Sequence, residues 1–301
     1  MNDHHHKLVQ RKVQFDYSDS PLHWIPGEPE ASHAINVIHM MLPAGELWFC
    51  RLYNKALPFV KEGRLREDVQ GFIRQEAMHA RAHSGALERY LVHHGIEPTR
   101  YLKVMDYLFE QLLSDTPLGF NLFNRSAWLK RWWIGQRCAI VAAVEHFTCI
   151  LGKWILEADA LDRAKADPVL LDLFRWHGAE EVEHRNVAHD LHVHLGGTFV
   201  SRQLWMFVVW PLIIYLFAFG ARTLARQDPG IDRPRSFVTV WRDGSRKGVL
   251  PTIGSLAASF LRYFNPWYHP DHEANTQEAL DYLARSPAAS RAARSASMGA
   301  A

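Results

Sequence analysis

Glu76, His79 and His83 lie at spacings of three and four in GFIRQEAMHARAH, residues 71–83. A second stretch, WHGAEEVEH at 176–184, sets His177, Glu181 and His184 at spacings of four and three. On a helix, at about 100° per residue, each trio falls within one narrow sector of one face. Stacked carboxylate and imidazole groups are donors that divalent metals accept. One such trio is equally at home on a solvated helix face. Two of them, far apart in one chain, ask for a common explanation.

Two more carboxylates supply it. Glu145 lies in CAIVAAVEHFTCIL, among apolar side chains with only His146 beside it. A buried carboxylate is costly unless it is paired or metal-bound. Glu46 lies in MMLPAGELWFCRLY, again in apolar surroundings; a favourable charge near a helix start is its other explanation. Taken in order, the chain offers Glu46, Glu76-x-x-His79, Glu145 and Glu181-x-x-His184. That is the order of a di-metal carboxylate four-helix bundle, in which two helices give one Glu each and two give a Glu-x-x-His. Four carboxylates cancel the charge of two divalent ions while the histidines stay neutral, and a carboxylate can bridge two ions where one imidazole cannot.

The neighbours of these six are less determined. His177, one turn before Glu181, is either a seventh ligand or a group behind the ligands. His83, one turn beyond His79, reads as a group behind them. Glu180 rivals Glu181, because it too lies within one turn of His184. If uncoordinated, Glu180, Glu183 and His83 are candidate bases. Spacing suggests Asp190 as the acceptor for the other ring N–H of a ligand histidine. His189, His192 and His194 alternate around their helix and read as non-ligands.

The elements that must carry these groups are helical. Period and punctuation predict helices over 31–42, 43–58, 64–94, 99–114, 124–158, 168–195 and 199–226, with a weaker pair at 251–264 and 275–285. Gly95 and Gly196-Gly197 act as stops, and Asp167-Pro168 as a start. No stretch alternates as a strand. Residues 1–30, with SDSPLHWIPGEPE, read as an arm. Residues 31–275 read as one helical domain that includes the apolar helix 199–226. Residues 276–301 read as a C-terminal helix and a disordered tail, SPAASRAARSASMGAA. The run His4-His5-His6 is set apart from the site.

Composition narrows the function. The 301 residues are 48% hydrophobic, enough for a sizeable core, and the net charge of +2 gives no bulk case for nucleic acid. Cys50, Cys138 and Cys149 form no CxxC pair, which argues against a thiolate metal site and fits a reducing, cytoplasmic setting. The start MNDHHHKLVQ lacks the apolar core of a signal peptide. LWMFVVWPLIIYLFAFGA, residues 204–221, is uncharged and long enough to be weighed as a membrane span. Pro211 interrupts it and no second span accompanies it, so a helix buried against the bundle is expected, with peripheral membrane contact as the alternative.

RQEAMHARAH, AAVEHFT, HGAEEVEHRNVAHD and WYHPDH (267–272) together resemble a bacterial family labelled predicted metal-dependent hydrolase, of the ferritin-like superfamily. The resemblance implies a metal and a hydrolytic reaction. The ligand order is also similar to that of the di-iron arylamine N-oxygenases, which have a histidine one turn before the last Glu-x-x-His; here that is His177.

The resulting expectation is an all-α, ferritin-like four-helix bundle with additional C-terminal helices. It holds two iron ions, with manganese or zinc as alternatives, through Glu46, Glu76, His79, Glu145, His177, Glu181 and His184. The expected activity is dioxygen-dependent oxidation of a small, apolar organic substrate, drawing on an electron donor. Metal-dependent hydrolysis is the alternative, and iron storage or sensing without an organic substrate is a third reading.

Overall fold

The computed structural model describes residues 6–298; His4 and His5 lie outside them. The described residues contain helices and no strand. Four helices carry the core: α1 (Pro29–Ala56), α2 (Arg64–Ala86), α4 (Ala127–Glu157) and α6 (Pro168–His184). Between them lie α3 (Thr99–Asp106) and the short α5 (Asp159–Arg163). After them come α7 (Val187–His194), α8 (Phe199–Ala225), α9 (Phe237–Lys247), α10 (Ile253–Tyr263), α11 (Thr276–Arg285) and α12 (Pro287–Met298). α1 packs on α2, α4 packs on α6 and α7, and α8 packs on both α1 and α4.

Several expected boundaries move. Pro43 does not divide a helix; α1 runs through it. A proline inside a helix forfeits one backbone hydrogen bond and costs about 3 kcal/mol, and burial on both sides of it, at Met40, Leu42, Trp48 and Phe49, offsets that loss. The helix expected over 168–195 breaks at Arg185 and Asn186. There the buried Arg185 guanidinium turns away to the carbonyls of Val182 and Pro270 and to the Thr276 hydroxyl. α2 and α3 each continue into a π-helical turn, at Leu87–Val92 and Tyr107–Leu112. The helix at 237–247 had no counterpart in the sequence reading.

The tail is corrected too. Residues 287–298 form α12, anchored where Asp172 accepts from the Ala288 backbone N–H and the Ser286 and Tyr282 hydroxyls. Low hydrophobicity in the tail concealed a helix whose small side chains, Ala288 and Ala289, pack closely on α6.

The arm is part of the core. Leu8, Val13, Phe15, Tyr17, Trp24 and Ile25 are buried. Leu8 crosses α2 at Gly71, where a Cβ would lie 2.6 Å from that of Leu8. His23 of the arm and His33 of α1 both reach Asp228, at 2.5 and 2.7 Å. α4 and α6 approach backbone to backbone. A Cβ on Gly152 would lie 2.4 Å from the Gly178 carbonyl oxygen. Gly152 lies two turns beyond Glu145 and Gly178 precedes Glu181 by three residues, so this contact sets the distance between the helices that carry Glu145 and Glu181.

Candidate metal centre

The four core helices bring Glu46, Glu76, His79, Glu145, His177, Glu181 and His184 together, all buried. α1 supplies Glu46, α2 supplies Glu76 and His79, α4 supplies Glu145, and α6 supplies the last three. Glu181 sits in the middle. Its Oε1 lies 2.7 Å from His177 Nε2 and 3.5 Å from His79 Nδ1. Its Oε2 lies 3.4 Å from His184 Nε2 and accepts from the Thr148 hydroxyl at 2.5 Å. Glu76 Oε1 is likewise shared, 3.4 Å from His79 Nδ1 and 3.3 Å from His184 Nε2. Glu46 flanks one side, 3.6 Å from His177 Nε2, and Glu145 the other, 3.2 Å from His184 Nε2.

The donors thus divide into two groups able to hold an ion, Glu46–His79–His177–Glu181 and Glu76–Glu181–His184, with Glu181 in both. Eight buried donor atoms here have no hydrogen-bond partner: both oxygens of Glu46, Glu76 and Glu145, Nδ1 of His79 and Nε2 of His184. An unmet buried polar atom costs about 1–3 kcal/mol, more if charged. Such a concentration of unmet acceptors is what a pair of divalent cations would satisfy, and the oxygen and nitrogen donors suit them.

Without a cation the site holds its protons unusually. Burial, reinforced by the neighbouring carboxylates, pushes Glu46 and Glu145 well above the ordinary range and Glu76 up to about 8. Burial works against Glu181 as well, but the imidazoles of His184 and His177 hold it well below that range. Burial also disfavours the charged form of His184, yet Glu181 and Glu145 outweigh it and raise its pKa.

A surrounding set of groups orients the donors. His79 Nε2 meets Glu180 Oε2 at 3.0 Å, leaving Nδ1 toward the centre. His184 Nδ1 meets Gln75 Oε1 at 3.1 Å, leaving Nε2 toward it. Arg11 Nη1 donates to Glu180 at 2.8 Å and to Glu183 at 2.9 Å. The Trp176 indole N–H donates to Glu180, and the Gln75 amide to Glu183. His177 Nδ1 lies 2.6 Å from His83 Nε2, and His83 Nδ1 lies 2.8 Å from His39 Nδ1. Burial keeps all three of these imidazoles neutral by lowering their pKa values.

These contacts decide what the sequence left open. Glu181, not Glu180, faces the centre. Glu180 and Glu183 are not free bases, because Arg11 and neighbouring donors occupy their carboxylates. His83 lies behind His177, between it and His39. Asp190 does not orient a ligand; it lies half-exposed on α7, 3.4 Å from His269. His146 turns away from the centre to the Tyr268 hydroxyl, at 2.7 Å. Sequence reading missed Arg11, Gln75, Thr148 and His39. Arg11 carried no signal, being in an aperiodic arm. Gln75 and His39 could have been found as polar residues on the buried faces of α2 and α1.

One side of the centre opens to a cleft between α1, α4, α6 and α8. Its walls are apolar, among them Ile38, Leu42, Phe109, Val144, Phe147 and Leu212, and its polar end is formed by Glu46, Thr148, His177 and Glu181.

A family model described as predicted metal-dependent hydrolase matches residues 9–274. The chain belongs to that family. The match takes in Arg11, all seven converging residues and the α8–α10 region, and it ends just before α11. No curated protein matches the chain, and no solved structure matches it. Membership of the metal-dependent hydrolase family accords with the metal expected here and replaces dioxygen chemistry as the leading reaction class.

Proposed function

We propose that this protein is a two-metal hydrolase acting on a small, largely apolar ester or amide. The observation that carries the reading is the set of eight unpartnered buried donor atoms, set at the foot of an apolar cleft in a chain of the metal-dependent hydrolase family. The bundle is read as ferritin-like, with Glu46, Glu76, His79, Glu145, Glu181 and His184 as the residues that would hold the ions, Glu76 and Glu181 each lying near both His79 and His184. Iron, manganese and zinc all suit these donors. When bound, such a pair supplies Lewis acidity and a water of lowered pKa.

The chain's own residues do the rest. The cleft walls exclude bulk water and seat the apolar part of the substrate. His177, neutral and lining the cleft, donates from Nε2 to Glu181 Oε1 in the metal-free site; with Glu181 taken up by the ions, that nitrogen would be the base for the attacking water, and the neighbouring carboxylates would stabilise the imidazolium so formed. His83, at Nδ1 of His177, fixes the ring plane. The Thr148 hydroxyl holds Glu181 in place.

A second reading is dioxygen-dependent oxidation by a di-iron centre, with His177 as seventh ligand. Its support is the charge balance of four carboxylates against two divalent ions, and the engagement of Glu180 and Glu183, which leaves few free bases. His177→Ala separates the two. Under the hydrolytic reading the variant keeps two metals per chain and loses ester or amide turnover by about 10²–10⁴-fold. Turnover of a panel of medium-chain esters and amides by zinc- or manganese-loaded protein without oxygen would support hydrolysis. No such turnover, together with stoichiometric oxygen consumption by the ferrous protein and metal loss in His177→Ala, would overturn it in favour of oxidation.

A further inference from the structure

α8 and α4 are both long and apolar enough to cross a membrane by length and composition, but their surroundings differ. The apolar window of α4 is 67% buried and carries Glu145 into the centre, so α4 is a core helix. The corresponding window of α8 is only 39% buried. One face of α8 packs on the bundle through Met206, Val209, Ile213, Leu216 and Phe217. Its buried Arg202 and Gln203 donate to the carbonyls of Asn265, Tyr268 and Tyr263. These contacts fix one face of α8 on the rest of the chain. The other face leaves Leu204, Phe207, Val208, Ile214 and Tyr215 exposed.

That exposed face does not end with α8. Phe207 and Trp210 pack against Phe260 and Phe264, so α10 lies beside it with Ile253 and Leu261 exposed. The Trp205 indole donates to Gln136 of α4, on the helix face that also presents Trp132 and Trp128 to solvent. Charge is distributed to match. None of the chain's 32 acidic residues falls within 116–144, 191–227 or 244–270. The same segments carry Arg125, Lys130, Arg131, Arg222 and Arg226, all exposed.

We propose that this face docks on the surface of an anionic lipid bilayer, with α8 lying in the interfacial plane. An apolar face edged by tryptophan and basic residues is the pattern of interfacial binding, in which apolar burial and attraction to anionic headgroups add. A second copy of the chain is disfavoured as the occupant, since a two-fold contact would set these acid-free basic segments against each other. The docked orientation also places the cleft at the lipid boundary. Leu212 lines the cleft, and Val208 and Tyr215, one turn to either side, are on the exposed face. The link to an apolar substrate rests on the reading of the cleft given above; the docking itself does not.

Flotation of the full-length, metal-loaded protein with vesicles of phosphatidylcholine and phosphatidylglycerol in equal parts tests this. The wild type should float with the vesicles, less so at high salt, and Leu204→Asp/Val208→Asp should reduce the bound fraction roughly tenfold or more. Metal content and melting temperature, measured on both proteins, should be unchanged, which separates a docking defect from loss of the centre. A wild type that stays in the soluble fraction overturns the proposal. So does a dimer in sedimentation that the double variant dissociates, since the face would then be an interface between copies. Protein released from cell membranes only by detergent, and not by carbonate, overturns it in favour of an integral α8.

Discussion

Nε2 of His79 lies 3.0 Å from Oε2 of Glu180, and this contact commits the other ring nitrogen to the centre. The adjacent glutamates of α6 therefore have different jobs: Glu181 faces the donors, and Glu180 holds one of them. Groups that orient metal-binding histidines typically contribute 10–100-fold to affinity. Glu180→Ala should weaken metal binding by about that factor while leaving the capacity at two ions per chain. Glu181→Ala should instead lower the capacity, because the shared carboxylate is gone. Titration with metal under competition from a chelator, read by elemental analysis, distinguishes the two. Loss of capacity in Glu180→Ala with none in Glu181→Ala would mean that the helix faces the site in the other register.

The metal-free protein should be most stable slightly below neutral pH. Glu76 is raised to about 8 in the folded chain, and Glu46 and Glu145 are raised as well. Between the ordinary carboxylate pKa and these values the folded state binds more protons than the unfolded, so stability falls as pH rises. Below about 6.5 the neutral buried histidines His39, His83 and His177, whose pKa values are lowered, act in the opposite sense. The net decline is therefore clearest from about pH 6.5 to 8, where Glu76 alone removes on the order of 2 kcal/mol. Metal loading displaces those protons and should abolish the decline. Urea melts across this range, with and without metal, measure it; a metal-free protein that gains stability up to pH 8 would contradict the burial account.

Gly152→Ala should damage the site without touching a ligand. The new methyl would press on the Gly178 backbone, which, unlike a flexible side chain, cannot swing away. Overpacking of this kind costs about 1–3 kcal/mol or more. α4 and α6 would separate, and with them Glu145 and Glu181. A lowered melting temperature together with weaker metal binding is expected. Alanine at the exposed Gly254, where a Cβ meets nothing within 4 Å, is the control and should change neither.

The sequence by itself determined the all-helical class and which residues could meet. Glu76 with His79, and Glu181 with His184, were legible because an i, i+3 relation on a helix is fixed by backbone geometry. Glu145 was legible because a lone charge in an apolar run demands a partner. The side of α6 that faces the centre was not: Glu180 and Glu181 are one residue apart, and only the packing of α2 and α4 against that helix selects between them. The roles of Arg11 and the arm were also invisible, since an aperiodic segment declares no face until it lies against another surface. The tail misled for a related reason. Alanine and serine look disordered by composition, but small side chains suit close helix packing once Asp172 is there to hold the first turn. The apolar run of α8 marked that helix as unusual, yet length and hydropathy alone cannot separate a span from a half-buried surface helix. Tertiary structure added what they lack: the buried Arg202 and Gln203 donate to carbonyls at the end of α10 and just beyond it, which fixes one face of α8 on its neighbours and leaves the other exposed.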